Sequence, residues 1–363
     1  MSSPLSSTSS ADDTLAHERT SNGKRKQDSP VLDEPTKKRT KITSTSSFTR
    51  HPVFWAEDGS VFLQFGAKRM KLYRDRLALH SEWFQELFDK KGVVLSGEVE
   101  WSIPWADVNG IDLFELDGTG VALEDFEAVL TTMENAINFC YAKPSFAFMV
   151  SLARAASFFR FGKILEFAVT YLEQVFPEEL GEVTEDHIPV TQATEAILLG
   201  RNCDLPQLLK RAFYELARAP EIETCPVPEV DHVNMLDRED LTLLINLQKR
   251  LMTAWLKILT FYKPSDSCPQ STACTDTTDH CTPFLDSPTV QNYRFDPILG
   301  LDQLKDSIDW KACLCSACVK GRLDWLDQQK VTLWEDIGSW LNLGVDDTSS
   351  NSSDAGAGCN ADT

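Results

Sequence analysis

The stretch DGSVFLQFGAKRMKLYRDRLALHSEWFQELF, residues 58–88, combines two hydrophobic periods and decides the fold. Residues 58–65 and 69–74 alternate apolar and polar side chains at period two, which is typical of strands with one buried face. A short link containing Gly66 joins the two runs, so the pattern predicts a β-hairpin. The side chains expected on the buried face are Val61, Leu63, Phe65, Met70 and Leu72.

The period changes directly after the hairpin. Over residues 75–89 apolar side chains recur every three or four positions, which predicts one amphipathic helix. Residues 99–103 alternate again, and Pro104 ends that strand. We interpret residues 106–120 as a polar insertion.

Helices dominate the remainder of the chain. The longest apolar stripe covers residues 145–175, and Gly162 indicates a break between two helices there. The other predicted helices lie at 123–133, 134–142, 191–199, 206–217, 238–261 and 323–341. We expect the last helix, which carries three Trp, to dock on the preceding helical region. The alternative is a partner-binding amphipathic helix.

Charge is distributed unevenly along the chain. Residues 1–50 hold nine Lys+Arg and six Asp+Glu, so they carry a net charge of +3. Because the whole chain carries −20, the remainder carries −23. A body this acidic repels phosphates, which argues against a broad nucleic-acid surface. The pattern of a secretory signal is not visible, and no run of about 18 apolar residues predicts a membrane span. We therefore expect the ten Cys to be reduced, in the cytoplasm or the nucleus.

Three segments have compositions that do not support a packed core. Residues 1–47 and 344–363 are rich in Ser, Thr and Asp, and they contain few apolar side chains to offset the entropy lost on ordering. We expect both to be disordered. Residues 264–290 are rich in Ser, Thr, Asp and Pro, and we predict a long loop there.

The order strand, turn, strand, helix, strand, helices resembles the BTB/POZ domain. The residues that match the family's first helix are Leu77, Ala78, Ser81, Phe84 and Phe88. Later segments similar to the family's helices are FEAVL at 126–130, FCYA at 139–142 and AASFFRF at 155–161 with Leu172. The phrase FWAEDG at 54–59 is similar to the basidiomycete-fungal members of the BTB family.

The resemblance implies an α+β fold, with a small mixed sheet capped by helices and then a mostly α-helical carboxy-terminal region. It divides the chain into a 1–47 tail, a BTB/POZ-like domain at 48–180, a helical region at 190–343 with the loop near 264–290, and a 344–363 tail. Two departures concern the partner surface rather than the fold. Tyr73 stands where the family usually has His, and the insertion at 106–120 lengthens a link.

The resemblance also implies a function in protein–protein interaction. The first hypothesis is a self-associating scaffold with a regulatory role. The alternatives are a substrate adaptor of a cullin-based ubiquitin ligase and a transcription regulator that uses the basic tail. Candidate contacts of a homodimer are Phe48, Val53, Phe54, Trp55 and Trp83, with packing inside one chain as the alternative. No Gly-rich phosphate loop, GxSxG elbow or HExxH pair is present in the sequence, so we expect no enzyme, no catalytic residue and no cofactor.

Two basic clusters in the amino-terminal tail, ten residues apart, have the spacing of a bipartite nuclear localisation signal. The residues that would contact an import receptor are Lys24, Arg25, Lys26, Lys37, Lys38, Arg39 and Lys41. The alternative is a solvated charge run in a disordered tail.

The cysteines Cys313, Cys315 and Cys318 include a CxxC pair with the spacing of zinc ligands. The fourth ligand of such a site would be Cys268, Cys274, His280 or Cys281. No second CxxC or HxxxH pair stands at a standard distance, so the sequence favours the alternative of reduced thiols.

Overall fold

The predicted hairpin is present in the computed structural model, which describes residues 48–96, 99–219, 233, 235–260, 274, 288–308 and 310–342. Strand β2 (Val61–Phe65) pairs antiparallel with β3 (Lys68–Leu72), and Val61 lies opposite Leu72. Gly66 adopts φ +53° in the turn, a left-handed conformation that glycine tolerates without a steric penalty.

The hairpin belongs to a sheet of five described strands in the order β1-β3-β2-β7-β6. Strand β1 (Thr49–Trp55) is parallel to β3, and β7 (Ile111–Glu115) is parallel to β2. Strand β6 (Trp105–Val108) pairs antiparallel with β7. The interpretation of residues 106–120 as a polar insertion is therefore wrong. Strand β7 is an interior strand with Leu113 and Phe114 both buried, so its sequence does not alternate in the way a strand with one wet face does.

The helix predicted over residues 75–89 is two helices, α1 (Arg74–His80) and α2 (Glu82–Asp89). Ser81 adopts an extended backbone conformation between them, and its side chain accepts a hydrogen bond from the backbone N–H of Phe84. After α2, β4 (Val93–Ser96) and β5 (Val99–Ser102) form a separate antiparallel pair. The predicted strand at 99–103 is confirmed as β5.

Three helices follow the sheet: α3 (Leu123–Asn135), α4 (Phe146–Phe158) and α5 (Gly162–Val175). The helix predicted over 134–142 is instead a short 3-10 segment, Ala136–Cys140. The break in the 145–175 stripe lies just before Gly162. Arg160, with φ +52°, makes the turn there, and Gly162 opens α5.

The carboxy-terminal region contains α6 (Val190–Asn202), α7 (Pro206–Arg218), α8 (Arg238–Thr260), α9 (Pro288–Asn292), α10 (Pro297–Ser307), α11 (Trp310–Cys313) and α12 (Ser316–Trp340). The helices predicted at 191–199, 206–217, 238–261 and 323–341 correspond to α6, α7, α8 and α12. Helix α10 was not predicted. None of the described helices combines the length and the apolar character that a membrane span requires. The tails at 1–47 and 344–363 and most of the 264–290 segment lie outside the described residues.

The described residues thus form a mixed α+β fold with a small sheet and a mostly helical remainder. Its core is rich in aromatic rings: Phe84 packs on Phe126 and Phe159 with ring centroids 5.7 and 5.3 Å apart. The main cluster of buried side chains runs from the sheet into α6, α7, α8 and α12. A second cluster surrounds Trp255 and joins α8 to α10, α11 and α12. The division into a 48–180 domain and a 190–343 region stays a prediction.

Candidate functional site

Of the residues predicted at a dimer interface, Phe54 and Trp83 belong to the core, whereas Phe48 and Val53 are exposed. Phe54 is 6% exposed and Trp83 is 1% exposed. Trp83 packs edge-to-face on Phe84 and Phe159, with both centroid distances 4.9 Å. The interface assignment is corrected for Phe54 and Trp83, because both rings are buried inside the chain and are not available to a partner. Trp55 is half-buried under the Arg50 guanidinium.

Strand β1 lies at the edge of the sheet among the described strands. Its Val53 side chain is exposed, and Pro52 beside it lacks the N–H of an interior strand residue. His51 holds the strand in place: Nδ1 accepts hydrogen bonds from the backbone N–H groups of Val53 and Phe54, so Nε2 carries the proton and donates to Glu127 Oε1 at 2.8 Å. The edge is thus fixed to α3, while its outer side chains face solvent.

Helix α1 is weakly buried for a helix so close to the sheet. The structure describes all of its residues, and Leu77 is the one that is buried. Leu79 is 78% exposed, and Tyr73, directly before the helix, is also exposed. The Tyr73 hydroxyl donates to Asp58 Oδ1 at 2.6 Å, which lowers the pKa of Asp58.

The 3-10 segment that follows α3 adds another exposed apolar side chain. Arg76 of α1 donates to the backbone carbonyl of Met133, and Ile137, one helical turn beyond Met133, is exposed. We call the exposed side chains Val53, Tyr73, Leu79 and Ile137 together the front surface. The hydrogen bonds from His51 to Glu127 and from Arg76 to Met133 connect the elements that carry them. The front surface combines an edge strand with apolar side chains, which is a composition suited to contact with another protein.

The last helix, α12, is docked rather than extended from the body. Leu333, Trp334 and Ile337 are buried, and Trp334 Nε1 donates to the carbonyl of Glu178 at 2.8 Å. This confirms the docked interpretation of the sequence. A groove of about 580 Å³ remains between α8 and α12, and its lining includes Trp325, Trp340, Arg250, Lys257 and Asp336.

A cluster of buried charges connects α7 to α10. Arg218 contacts Glu215 and Asp296 at 2.8 Å each, and the Tyr214 hydroxyl donates to Asp296 at 2.5 Å. Burial, together with the Asp296 carboxylate, raises the pKa of Tyr214 well above its ordinary value. Perturbed pKa values often mark active sites. These side chains are buried and bonded to one another, so their arrangement joins two helices and presents no reactive group to a substrate.

The zinc candidates are brought together in part. The Sγ atoms of Cys274, Cys315 and Cys318 all lie within 4.8 Å of one another. Cys315 and Cys318 were identified by their CxxC spacing, and Cys274 was one of four possibilities for a further ligand. Cys313 ends α11. Cys268, His280 and Cys281 lie outside the described residues.

The basic residues of the predicted localisation signal, Lys24, Arg25, Lys26, Lys37, Lys38, Arg39 and Lys41, also lie outside the described residues. The location of the protein therefore stays a prediction from sequence. Comparisons of this chain with protein-family models, with curated proteins and with solved structures find no match.

Proposed function

We propose that this chain is a BTB/POZ-like protein-interaction module without catalytic activity, and that it self-associates through the front surface. The observation that carries the proposal is the exposure of α1: Leu79 is directed to solvent while Leu77 alone, in this fully described helix, is buried. Covering an exposed apolar side chain such as Leu79 with a partner is favourable, because it removes apolar surface from water.

The order of elements supports the BTB/POZ-like part of the proposal. A hairpin (β2, β3) is followed by a helix pair (α1, α2), then by a strand that returns beside β2, and then by α3 and a second helix pair. The resemblance in the sequence placed its third strand at residues 99–103, which is β5 of the separate pair, whereas the strand beside β2 is β7. The order of the hairpin, the helix pair and the later helices is what the two share. The segment that resembles the family's first helix is divided into α1 and α2 by a break at Ser81, which the sequence pattern did not indicate.

A second copy of this chain is the partner that the front surface suits best. In a twofold-symmetric dimer each subunit presents the same patch, so an apolar residue such as Leu79 meets an apolar surface on the other subunit. The edge strand β1 can add backbone hydrogen bonds between subunits. The acidic body opposes close approach of two copies through most of its surface, which favours an apolar patch as the contact.

The test is the molar mass of the full chain by sedimentation equilibrium over a range of concentrations. We expect a dimer for the wild type. Leu79→Glu should raise the dissociation constant of the dimer at least about tenfold, because a charge buried in the interface costs more than the about 1.4 kcal/mol that a tenfold change represents. Leu256→Glu, at an exposed position of α8, is the matched control and should leave the mass unchanged. A wild-type chain that stays monomeric, or a Leu79→Glu variant that still dimerises, would contradict self-association through this surface.

The two alternatives have distinct outcomes in parallel experiments. Capture of a cullin by the full chain, unaffected by Leu79→Glu, would favour an adaptor of a ubiquitin ligase. Sequence-selective DNA binding that is lost on removal of the basic tail would favour a transcription regulator.

A further inference from the structure

We propose that Cys274, Cys315 and Cys318 bind a zinc ion that holds the second hydrophobic cluster together. Three sulfur atoms from two distant parts of the chain meet within 4.8 Å. Cys274 stands 41 residues before Cys315, so local sequence spacing does not bring it there. The proposed site is independent of the self-association proposed above.

The separation of the sulfur atoms suits a single metal ion. Two thiolates bound to one tetrahedral zinc at about 2.3 Å stand about 3.8 Å apart. The upper limit of 4.8 Å among the three sulfur atoms therefore requires a closure of about 1 Å or less, which side-chain rotation supplies. A disulfide would use two of the three sulfur atoms and would leave the third beside it without a role.

The backbone around the cluster favours thiolate sulfur. Cys315 is the N-cap of the 25-residue helix α12, and Cys318 lies in its first turn, where the helix dipole stabilises negative charge. The backbone N–H of Cys315 donates to Cys274 Sγ at 3.4 Å. A hydrogen bond donated to sulfur favours the ionised thiolate, which is the form that binds a metal.

The surroundings are mostly apolar, with the guanidinium of Arg322 packed on the Trp310 ring, so three ionised sulfur atoms need a further cation. Cys274 is 2% exposed, Cys318 is 4% exposed, and the side chains packed in the same cluster include Trp310, Leu314 and Leu326. Uncompensated thiolates in such a place would be strongly destabilising. A zinc ion offsets two of the three negative charges, and each thiol releases its proton to solvent when the metal binds.

Soft sulfur ligands select zinc over magnesium or calcium. Three thiolates leave the fourth tetrahedral position to water or to one further side chain. Because the ligands are buried, we assign the metal a structural role. It would link Cys274 to the beginning of α12, and its binding free energy would add to the stability of the fold.

The experiment uses the full chain, purified under reducing conditions with zinc present. Metal analysis should find one zinc per chain, and replacement by Co²⁺ should give the absorption spectrum of tetrahedral cobalt with thiolate ligands. Cys274→Ser, Cys315→Ser and Cys318→Ser should each weaken zinc binding by at least about 10–100-fold, the effect of losing even a supporting contact of a ligand. Cys203→Ser, at a half-buried cysteine at the end of α6, is the matched control and should retain the metal.

A second measurement does not depend on whether the serine variants fold. A chelator should lower the midpoint of thermal unfolding of the wild-type chain and of Cys203→Ser, and zinc should restore it. A folded wild-type chain that takes up no stoichiometric zinc and gives no cobalt–thiolate spectrum would overturn the proposal. So would equal loss of zinc from Cys203→Ser and from the cluster variants.

Discussion

Arg218 Nη1 lies 2.8 Å from Asp296 Oδ2, and both side chains are almost fully removed from solvent. The same carboxylate accepts a hydrogen bond from the Tyr214 hydroxyl and caps α10 by accepting from the backbone N–H of Leu299. The Asp296 side chain therefore connects the beginning of α10 to Arg218 of α7, which lies 78 residues earlier in the chain.

Asp296→Asn preserves the volume of the side chain and removes its negative charge. It should be strongly destabilising, because the buried guanidinium of Arg218 is left with less compensating charge. We expect a loss of about 3 kcal/mol in the free energy of unfolding, measured by urea denaturation. Asp327→Asn is the control, since Asp327 pairs with Lys305 at an exposed position and should change stability by less than about 1 kcal/mol. Equal effects of the two substitutions would show that the buried cluster does not stabilise the fold.

Tyr214 predicts how stability depends on alkaline pH. Its pKa is raised in the folded chain by burial first and then by Asp296, above an ordinary value of 10.0. The folded state therefore holds the phenol proton more tightly than the unfolded state, so this contribution is complete below about pH 10 and is lost as the pH rises further, by up to about 1.4 kcal/mol per pH unit.

Tyr214→Phe should be less stable than the wild type at pH 7, by about 1–3 kcal/mol for the lost hydrogen bond to a carboxylate. Between pH 10 and 11 its stability should fall less steeply than that of the wild type, as measured by urea denaturation at each pH. Tyr141→Phe, at a residue that is 86% exposed, should retain the wild-type slope. Parallel curves for wild type and Tyr214→Phe would contradict the assignment.

Two glycines in helices should respond to alanine with opposite signs. A Cβ atom on Gly300 would stand 2.7 Å from Tyr293 Cβ and 2.8 Å from Trp255 Cη2, so Gly300→Ala should destabilise the chain by about 1–3 kcal/mol. A Cβ atom on Gly321 would meet no described atom within 4 Å, and Gly321→Ala should stabilise α12 by about 0.5–1 kcal/mol. The midpoint of thermal unfolding of both variants tests the close packing of α10 on Trp255. A Gly300→Ala variant as stable as the wild type would contradict that packing.

Ser81 and Ser145 are both N-caps, but their surroundings differ. Ser81 is buried and also donates from its hydroxyl to the carbonyl of Phe159 at 2.5 Å, whereas Ser145 accepts from the N–H of Phe148 at an exposed position. We expect Ser81→Ala to lower the free energy of unfolding by about 1–3 kcal/mol, because it leaves a buried carbonyl unsatisfied. Ser145→Ala should lower it by about 0.5–1 kcal/mol. A smaller loss for Ser81→Ala than for Ser145→Ala would refute the double role of Ser81.

Much of the architecture follows from local hydrophobic period. The β2–β3 hairpin and helices α6, α7 and α8 could be predicted because their buried side chains recur at spacings of two or of three to four residues. Strand β7 and helix α10 could not. The first is an interior strand whose adjacent Leu113 and Phe114 are both buried. The second begins at Asp296 and Pro297, a local N-cap and first-turn signal that the hydrophobic period alone does not show. The break at Ser81 was hidden because both helices present apolar residues to the same core.

The sequence by itself determined the β2–β3 hairpin, most of the long helices and which cysteines have ligand spacing, since these depend on neighbours along the chain. The tertiary structure decided that Phe54 and Trp83 lie in the core, that Leu79 faces solvent, and that Cys274 meets Cys315 and Cys318. Burial and side-chain proximity depend on how distant elements pack, and the periodicity of a single segment carries no information about which other segment will cover it.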